Sequence, residues 1–150
     1  MASKTQQIAL ITLQFGILLL QTLSVALQWR TSSPGAWVAT AWLACLVLGL
    51  WALSANRPGN FNIRPEPKAD GQLVQTGPYR WIRHPMYTAL LLFSLGCAGF
   101  VATLPAAGLT LLLLAVLWLK ASLEERLLCQ CHPAYRDYMA RSRRFLPFLL

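Results

Sequence analysis

Four long apolar blocks, Ile8 to Trp29, Ala36 to Ala55, Met86 to Thr103 and Leu104 to Leu119, take up most of this chain and leave little else to fold. Each comes close to the roughly 20 residues that a helix needs to cross a bilayer core about 30 Å thick. The blocks run continuously rather than alternating, and lipid offers no partner to an open strand edge, so helices are expected rather than strands. A composition of 56% hydrophobic and 12% charged residues argues against a soluble protein. The expected fold is therefore all-α: a polytopic membrane protein with four transmembrane helices, forming one domain over residues 1–150. Residues 1–55 would form an N-terminal helix hairpin. Residues 56–150 would supply a loop, a second hairpin and a C-terminal segment. The first block lacks the small-residue cleavage pattern of a removable signal, so it is expected to stay as a span.

Of thirteen Lys and Arg residues, only Arg30 falls on the side reached after an odd number of crossings. The positive-inside rule then places both termini and the central loop in the cytoplasm, in an inner or plasma membrane. The net charge of +8 is explained by this topology and by anionic headgroups, without a nucleic-acid partner. Cys45 and Cys97 lie inside spans, and Cys129-x-Cys131 lacks the spacer of zinc or thioredoxin-like sites, so free cysteines and no metal are expected.

Gln14, Gln21 and Gln28 are spaced by seven in the first span and share nearly one stripe of the helix. A polar seam against a neighbouring helix is the expected role, with a homodimer contact as the alternative. In the second span Ala36, Thr40 and Ala44 suit close helix approach, and neither span is expected to carry chemistry. The loop from Asn56 to Arg83 is dense in Pro and Gly, which excludes regular helix. Its length suggests a function, and Gln72-Leu73-Val74-Gln75-Thr76 could lay backbone groups against a flat ligand.

Ionisable residues at the border of hydrocarbon are costly and often mark a site. Pro85 in the first turn of the third span biases His84 away from α geometry and holds it at the helix entrance beside Tyr87. A helix N-terminus is also a natural seat for an anionic group. A tight turn at Leu104-Pro105 would pair spans three and four. That pairing brings His84 and Tyr87 near Lys120, Glu124 and Glu125 on a helical extension. Lys120 and Glu124 share a face while Glu125 is turned by about 100°, so at most one glutamate is expected to face the pocket squarely. Beyond His132-Pro133, a short segment with Tyr135 and Tyr138 and the run Arg141 to Phe148 suit a C-terminal interfacial helix. That helix could also serve as a lid.

Gly77-Pro78-Tyr79-Arg80-x-x-Arg83-His84-Pro85-x-Tyr87, then Glu124-Glu125, Tyr135-x-x-Tyr138 and Arg144-Phe145-Leu146-Pro147, resembles the isoprenylcysteine carboxyl methyltransferase and phospholipid methyltransferase family of integral membrane enzymes. The resemblance covers roughly Asn60 to Leu150. It implies S-adenosylmethionine as cofactor and a lipidic or hydrophobic acceptor entering from the bilayer. It also implies cofactor binding at Gly71, Gln72, Leu73, Val74, Tyr79, His84, Pro85, Met86, Tyr87 and Glu124, with Lys120 at the acceptor. In the prenylcysteine enzymes an arginine stands at the place of Lys120. Two further departures are Ala89 in place of a glycine, expected to narrow the pocket, and His132-Pro133 where a glycine often precedes the tyrosine pair.

Methyl transfer from a sulfonium is an in-line displacement that needs positioning and a dry site more than an acid or a metal. Glu124 and His84 are the expected catalytic residues: Glu124 holds the cofactor and favours its positive charge, and His84 with Tyr87 orients its amino-acid end. Lys120 favours an acceptor bearing a carboxylate or phosphate, hence O-methylation of a lipidated or hydrophobic carboxylate. The alternative, amine N-methylation of a phospholipid, needs a base, for which His84 or Glu125 is available. From other classes, a small membrane transporter or adaptor and an NADPH-dependent membrane reductase remain. The absence of acids from spans one to three speaks against a proton-coupled transporter.

Overall fold

The computed structural model describes residues 3–56 and 73–147. Among these residues five α-helices occur in the order α1 (Lys4–Gln28), α2 (Ala36–Ala55), α3 (Pro85–Val101), α4 (Leu104–Cys131) and α5 (Tyr135–Arg141). A 3-10 turn, Gly77–Arg80, precedes α3, and the described residues contain no strand, only an isolated bridge between Ile82 and Arg143. The all-helical expectation therefore holds. Of the four expected spans, α1, α2 and α4 are long and apolar enough to cross a membrane, and α3 is a shorter apolar helix of 17 residues. At 1.5 Å per residue α3 is about 26 Å long, at the lower limit of the roughly 17–25 residues with which helices cross a core of about 30 Å. The three long apolar helices identify an integral membrane protein.

α3 is the centre of the bundle, packing against α1, α2 and α4. α2 turns most of its hydrophobic residues outward: only Val38 and Ala52 are buried, while Leu43, Leu46, Val47 and Leu50 are exposed. Such an outward apolar face suits lipid as the surrounding solvent. The α2–α3 contact depends on glycine, but not on the stripe expected in α2, where Ala36 and Thr40 are exposed. The close approach comes from α3. A Cβ at Gly96 would lie 2.3 Å from Nε1 of Trp42, and one at Gly99 would lie 1.8 Å from the Trp37 ring. Trp42 donates from Nε1 to the Phe93 carbonyl at 3.3 Å and packs with Trp29 and Phe100. Ala89 does not narrow a pocket, since its methyl faces Gly49 of α2.

Only Ala102 and Thr103 separate α3 from α4, and Ala102 takes the left-handed conformation (φ 53°) that ends a helix abruptly. The two helices thus form the expected antiparallel hairpin, and α4 continues through Glu124 and Glu125 to Cys131 before breaking at His132. The seam of α1 is real but lies one heptad nearer the N-terminus than expected, because Gln7, Gln14 and Gln21 are buried while Gln28 is half-buried. Gln21 donates to Ser94 of α3 (2.8 Å) and Thr110 of α4 (3.1 Å), tying three helices together inside the bundle. Near the other end, Ile17, Leu113, Val116, Leu117, Ala121 and Phe145 form an apolar core, with Tyr87, Leu90 and Leu91 against it. This core underlies the polar cluster.

Candidate functional site

Pro85 occupies the first turn of α3 and leaves His84 as the N-cap with φ −123° and ψ 61°, outside the α region as expected. The His84 carbonyl accepts from the amides of Tyr87 (3.0 Å) and Thr88 (3.1 Å). Proline has no N–H, so of the first three helical residues only Met86 keeps an amide outside those bonds. The imidazole lies parallel to the Tyr87 ring, 5.4 Å between centroids.

The two glutamates of α4 meet this imidazole from both sides. Nδ1 lies 3.3 Å from Glu124 Oε2, and Nε2 lies 3.2 Å from Glu125 Oε1. Both glutamates therefore contact the same ring, one at each edge. The 100° separation on the helix is bridged because a histidine ring offers nitrogens on two edges. Neutral imidazole has only one N–H, so two carboxylate partners call for the imidazolium. Burial alone would lower the pKa of His84, but the hydrogen bonds and charges of Glu124 and Glu125 outweigh it and raise it above its ordinary value.

The glutamates otherwise differ. The Glu125 side chain is 4% exposed and is held by Arg83 Nε at 2.8 Å, by Arg144 through Nη2 and through Nε at 3.3 Å, and by His84. Arg83 also donates through Nη1 to the carbonyls of Met139 (3.2 Å) and Ser142. Arg144 stacks its guanidinium over Trp118 at 4.4 Å, a cation–π contact. Glu124 is 18% exposed and takes a hydrogen bond from the Tyr87 hydroxyl besides its contact with His84. One carboxylate is locked into the framework, and its neighbour is less buried and less committed.

Lys120, one turn before Glu124, is only 2% exposed. Its Nζ donates to Gln14 Oε1 of α1 at 2.6 Å and sits 5.2 Å from the Tyr87 ring centroid. Among the described residues it makes no ion pair. Gln14 thereby joins the first span to this cluster.

The C-terminal segment is built into this end of the bundle. The amides of Arg83 and His84 donate to the carbonyls of Arg143 (2.7 Å) and Arg144 (3.1 Å), and Arg143 N–H returns to the Trp81 carbonyl (2.9 Å). Thr88 Oγ1 donates to the Phe145 carbonyl at 2.7 Å. In α5 the side chains of Tyr135 and Tyr138 point into the protein, and Tyr138 donates to the Tyr79 carbonyl at 2.6 Å.

Of the residues singled out by sequence, His84, Tyr87, Lys120 and Glu124 converge. Pro85 and Met86 supply the first turn of α3. Tyr79 lies in the 3-10 turn anchored by Tyr138, and Leu73 and Val74 are half-buried in the irregular stretch before it. Gly71 and Gln72 lie outside the described residues. Arg83, Arg144 and Gln14 take parts that no role was assigned to in advance. The two arginines stood inside the quoted motifs, and the seven-residue spacing of the glutamines marked Gln14 as facing inward. Among the described residues, no group of three His, Cys, Asp or Glu side chains is arranged to hold a metal ion.

The chain is similar to the cobalt-zinc-cadmium resistance protein CzcN of Cupriavidus metallidurans, with 28% identity over 118 residues, 77% of this chain and 53% of that protein. It spans about half the length of that curated relative. The family model for phospholipid methyltransferase matches residues 37–133. This range takes in α2, α3, α4, His84, Tyr87, Lys120 and both glutamates, and stops short of Gln14 and Arg144. With more than half of its length matched and its ionisable residues gathered at one end of a membrane helix hairpin, the chain belongs to the phospholipid methyltransferase family of integral membrane methyltransferases.

Proposed function

We propose that the chain transfers a methyl group from S-adenosylmethionine to a carboxylate on a lipidated or hydrophobic acceptor, at a site on the cytoplasmic side of the membrane. The observation that carries this reading is the pairing of an accessible carboxylate, Glu124, with a buried ammonium, Lys120, one turn apart on α4 and both in contact with Tyr87. The donor set suits such a cofactor. A carboxylate has lone pairs for about four hydrogen bonds, and Glu124 spends part of that capacity on Tyr87 and His84, leaving negative charge for a cation or for hydroxyl and amino groups. When bound, S-adenosylmethionine would supply an electrophilic methyl on a positively charged sulfur.

The chain's own residues would then do the positioning. Tyr87 fixes the rotamer of Glu124 by donating to it, and His84, held by both glutamates, stiffens the mouth of the hairpin. Met86 N–H and the helix end favour the carboxylate end of the cofactor. Leu73, Val74 and Tyr79, with Gly71 and Gln72, are assigned to the cofactor through the family resemblance. Lys120 attracts the anionic end of the acceptor, and the strap around Arg144 and Phe145 keeps water from the hairpin mouth.

Amine methylation is less well supported. It needs a free base, yet Glu125 is held by three cationic side chains and His84 is shared between two carboxylates. The metal-resistance name of CzcN is not carried over, since among the described residues no three His, Cys, Asp or Glu side chains are grouped to hold a metal ion. The distribution of Lys and Arg supports the cytoplasmic assignment.

The test is calorimetric titration of the detergent-purified protein with S-adenosylhomocysteine, alongside Glu124→Gln and His84→Ala. Saturable binding by the native protein, weakened at least about tenfold in Glu124→Gln, is expected from loss of a charge-assisted bond. Absence of saturable binding by the native protein would refute the proposal.

A further inference from the structure

Lysine and glutamate four residues apart on a helix normally attract one another, and the attraction grows where water is scarce. Lys120 and Glu124 have this spacing, share a face and lie at a largely buried end of the bundle, yet no ion pair joins them. The ammonium is diverted instead to Gln14 Oε1 (2.6 Å) and to the face of Tyr87 (5.2 Å), while the hydroxyl of the same tyrosine is turned to Glu124. Gln14 is itself 5% exposed and comes from α1, outside the residues that the family match covers.

A neutral amide is an unusual main partner for a buried ammonium. It satisfies one N–H donor without cancelling the charge. We infer that Gln14 is a positioning residue of the methyltransferase site, which keeps Lys120 off Glu124 so that the site retains separate positive and negative ends. This inference rests on the reading of Glu124 as the partner of a sulfonium cofactor. Without the Gln14 oxygen, the stem of Lys120 can swing along α4 and place its ammonium on Glu124. Glu124 already shares the His84 imidazolium. A second cation would use its remaining lone pairs and repel a positively charged ligand, while the anionic acceptor would lose its attractor.

The test compares S-adenosylmethionine, which carries the sulfonium, with S-adenosylhomocysteine, which does not, by calorimetry on the full chain in detergent. The proteins are the native form, Gln14→Leu, Gln14→Glu, Lys120→Met and the double variant Gln14→Leu/Lys120→Met. In Gln14→Leu the preference for the charged ligand over the neutral one should fall by roughly tenfold, a small part of the Coulomb energy of one added cation. Gln14→Glu, which can still hold the ammonium, should restore that preference. In the Lys120→Met background Gln14→Leu should change nothing, because no cation remains to be held. A variant with only a packing defect would weaken both ligands alike and do so in both backgrounds, which would overturn the inference while leaving the methyltransferase reading intact. If the native protein bound neither ligand, that reading would fall, and the inference with it.

Discussion

Glu124 and Glu125 are adjacent and chemically identical, and their substitution by glutamine should have opposite consequences. Glu125 receives Arg83 Nε at 2.8 Å, Arg144 through two nitrogens and His84 Nε2 at 3.2 Å, with its side chain 4% exposed. Glutamine keeps the shape but removes the charge that three cationic groups share, and it turns an N–H₂ toward donors. Taking one partner from a buried ion pair costs about 3–5 kcal/mol. For a chain of this size that corresponds to a melting shift of roughly 10 °C. Glu124, with 18% of its side chain exposed, has the Tyr87 hydroxyl and one edge of His84 as partners, and neither is left as an isolated buried cation by its loss. Glu124→Gln should therefore cost on the order of 1 kcal/mol in stability while weakening cofactor binding. Thermal unfolding in detergent, followed by tryptophan fluorescence, reports on this directly because Trp118 lies under the Arg144 guanidinium. A Glu125→Gln protein melting within about 1 °C of the native one, or a Glu124→Gln protein that melts lower than Glu125→Gln, would refute the division of labour between the two carboxylates.

Two further outcomes follow from the packing and the charges. Gly96→Ala should destabilise the bundle by about 1–3 kcal/mol through overpacking, because Trp42 is held between its Phe93 hydrogen bond and the Trp29–Phe100 stack. Gly99→Ala should cost less despite the nominally closer contact, since Trp37 is 60% exposed and free to swing aside, and the order of the two melting temperatures checks this. His84, whose pKa is raised in the fold, contributes stability that is full below the ordinary histidine value of about 6.5 and is lost as pH rises through the raised folded value. Its ring faces Glu124 and Glu125, with Arg83 and Arg144 on the far side of Glu125. Nitrogen-15 spectra should show both ring nitrogens of His84 protonated at pH 6.5. A neutral tautomer at that pH would contradict the doubly bridged geometry.

Much of this architecture was legible in the order of residues. Continuous apolar blocks force helices because lipid cannot satisfy backbone polar groups; their lengths located α2 to the residue and the start of α4, while α1 begins at Lys4 ahead of its block and α4 runs on to Cys131 beyond its own. The tight turn before Pro105 was enough to pair α3 with α4, and Pro85 to place His84 at a helix entrance, since both act through local backbone geometry. Side-chain partnership was another matter, because helical phase reports which way a residue leaves its own helix and says nothing of what stands opposite. Phase alone set Glu125 apart from Glu124, yet a two-edged imidazole at the end of α3 takes both. Phase also marked Gln14 as inward-facing, but only the approach of α1 to α4 brought its amide to Lys120. The basic C-terminal run reads as a surface segment by composition; tertiary hydrogen bonds from Arg83, His84 and Thr88 draw its backbone into the hairpin mouth, and Arg144 turns back onto Glu125. Sequence by itself determined where the chain can cross lipid and where its helices must start. Tertiary structure decided which charges meet, because charges in a largely buried site must find partners, and those partners come from distant parts of the chain.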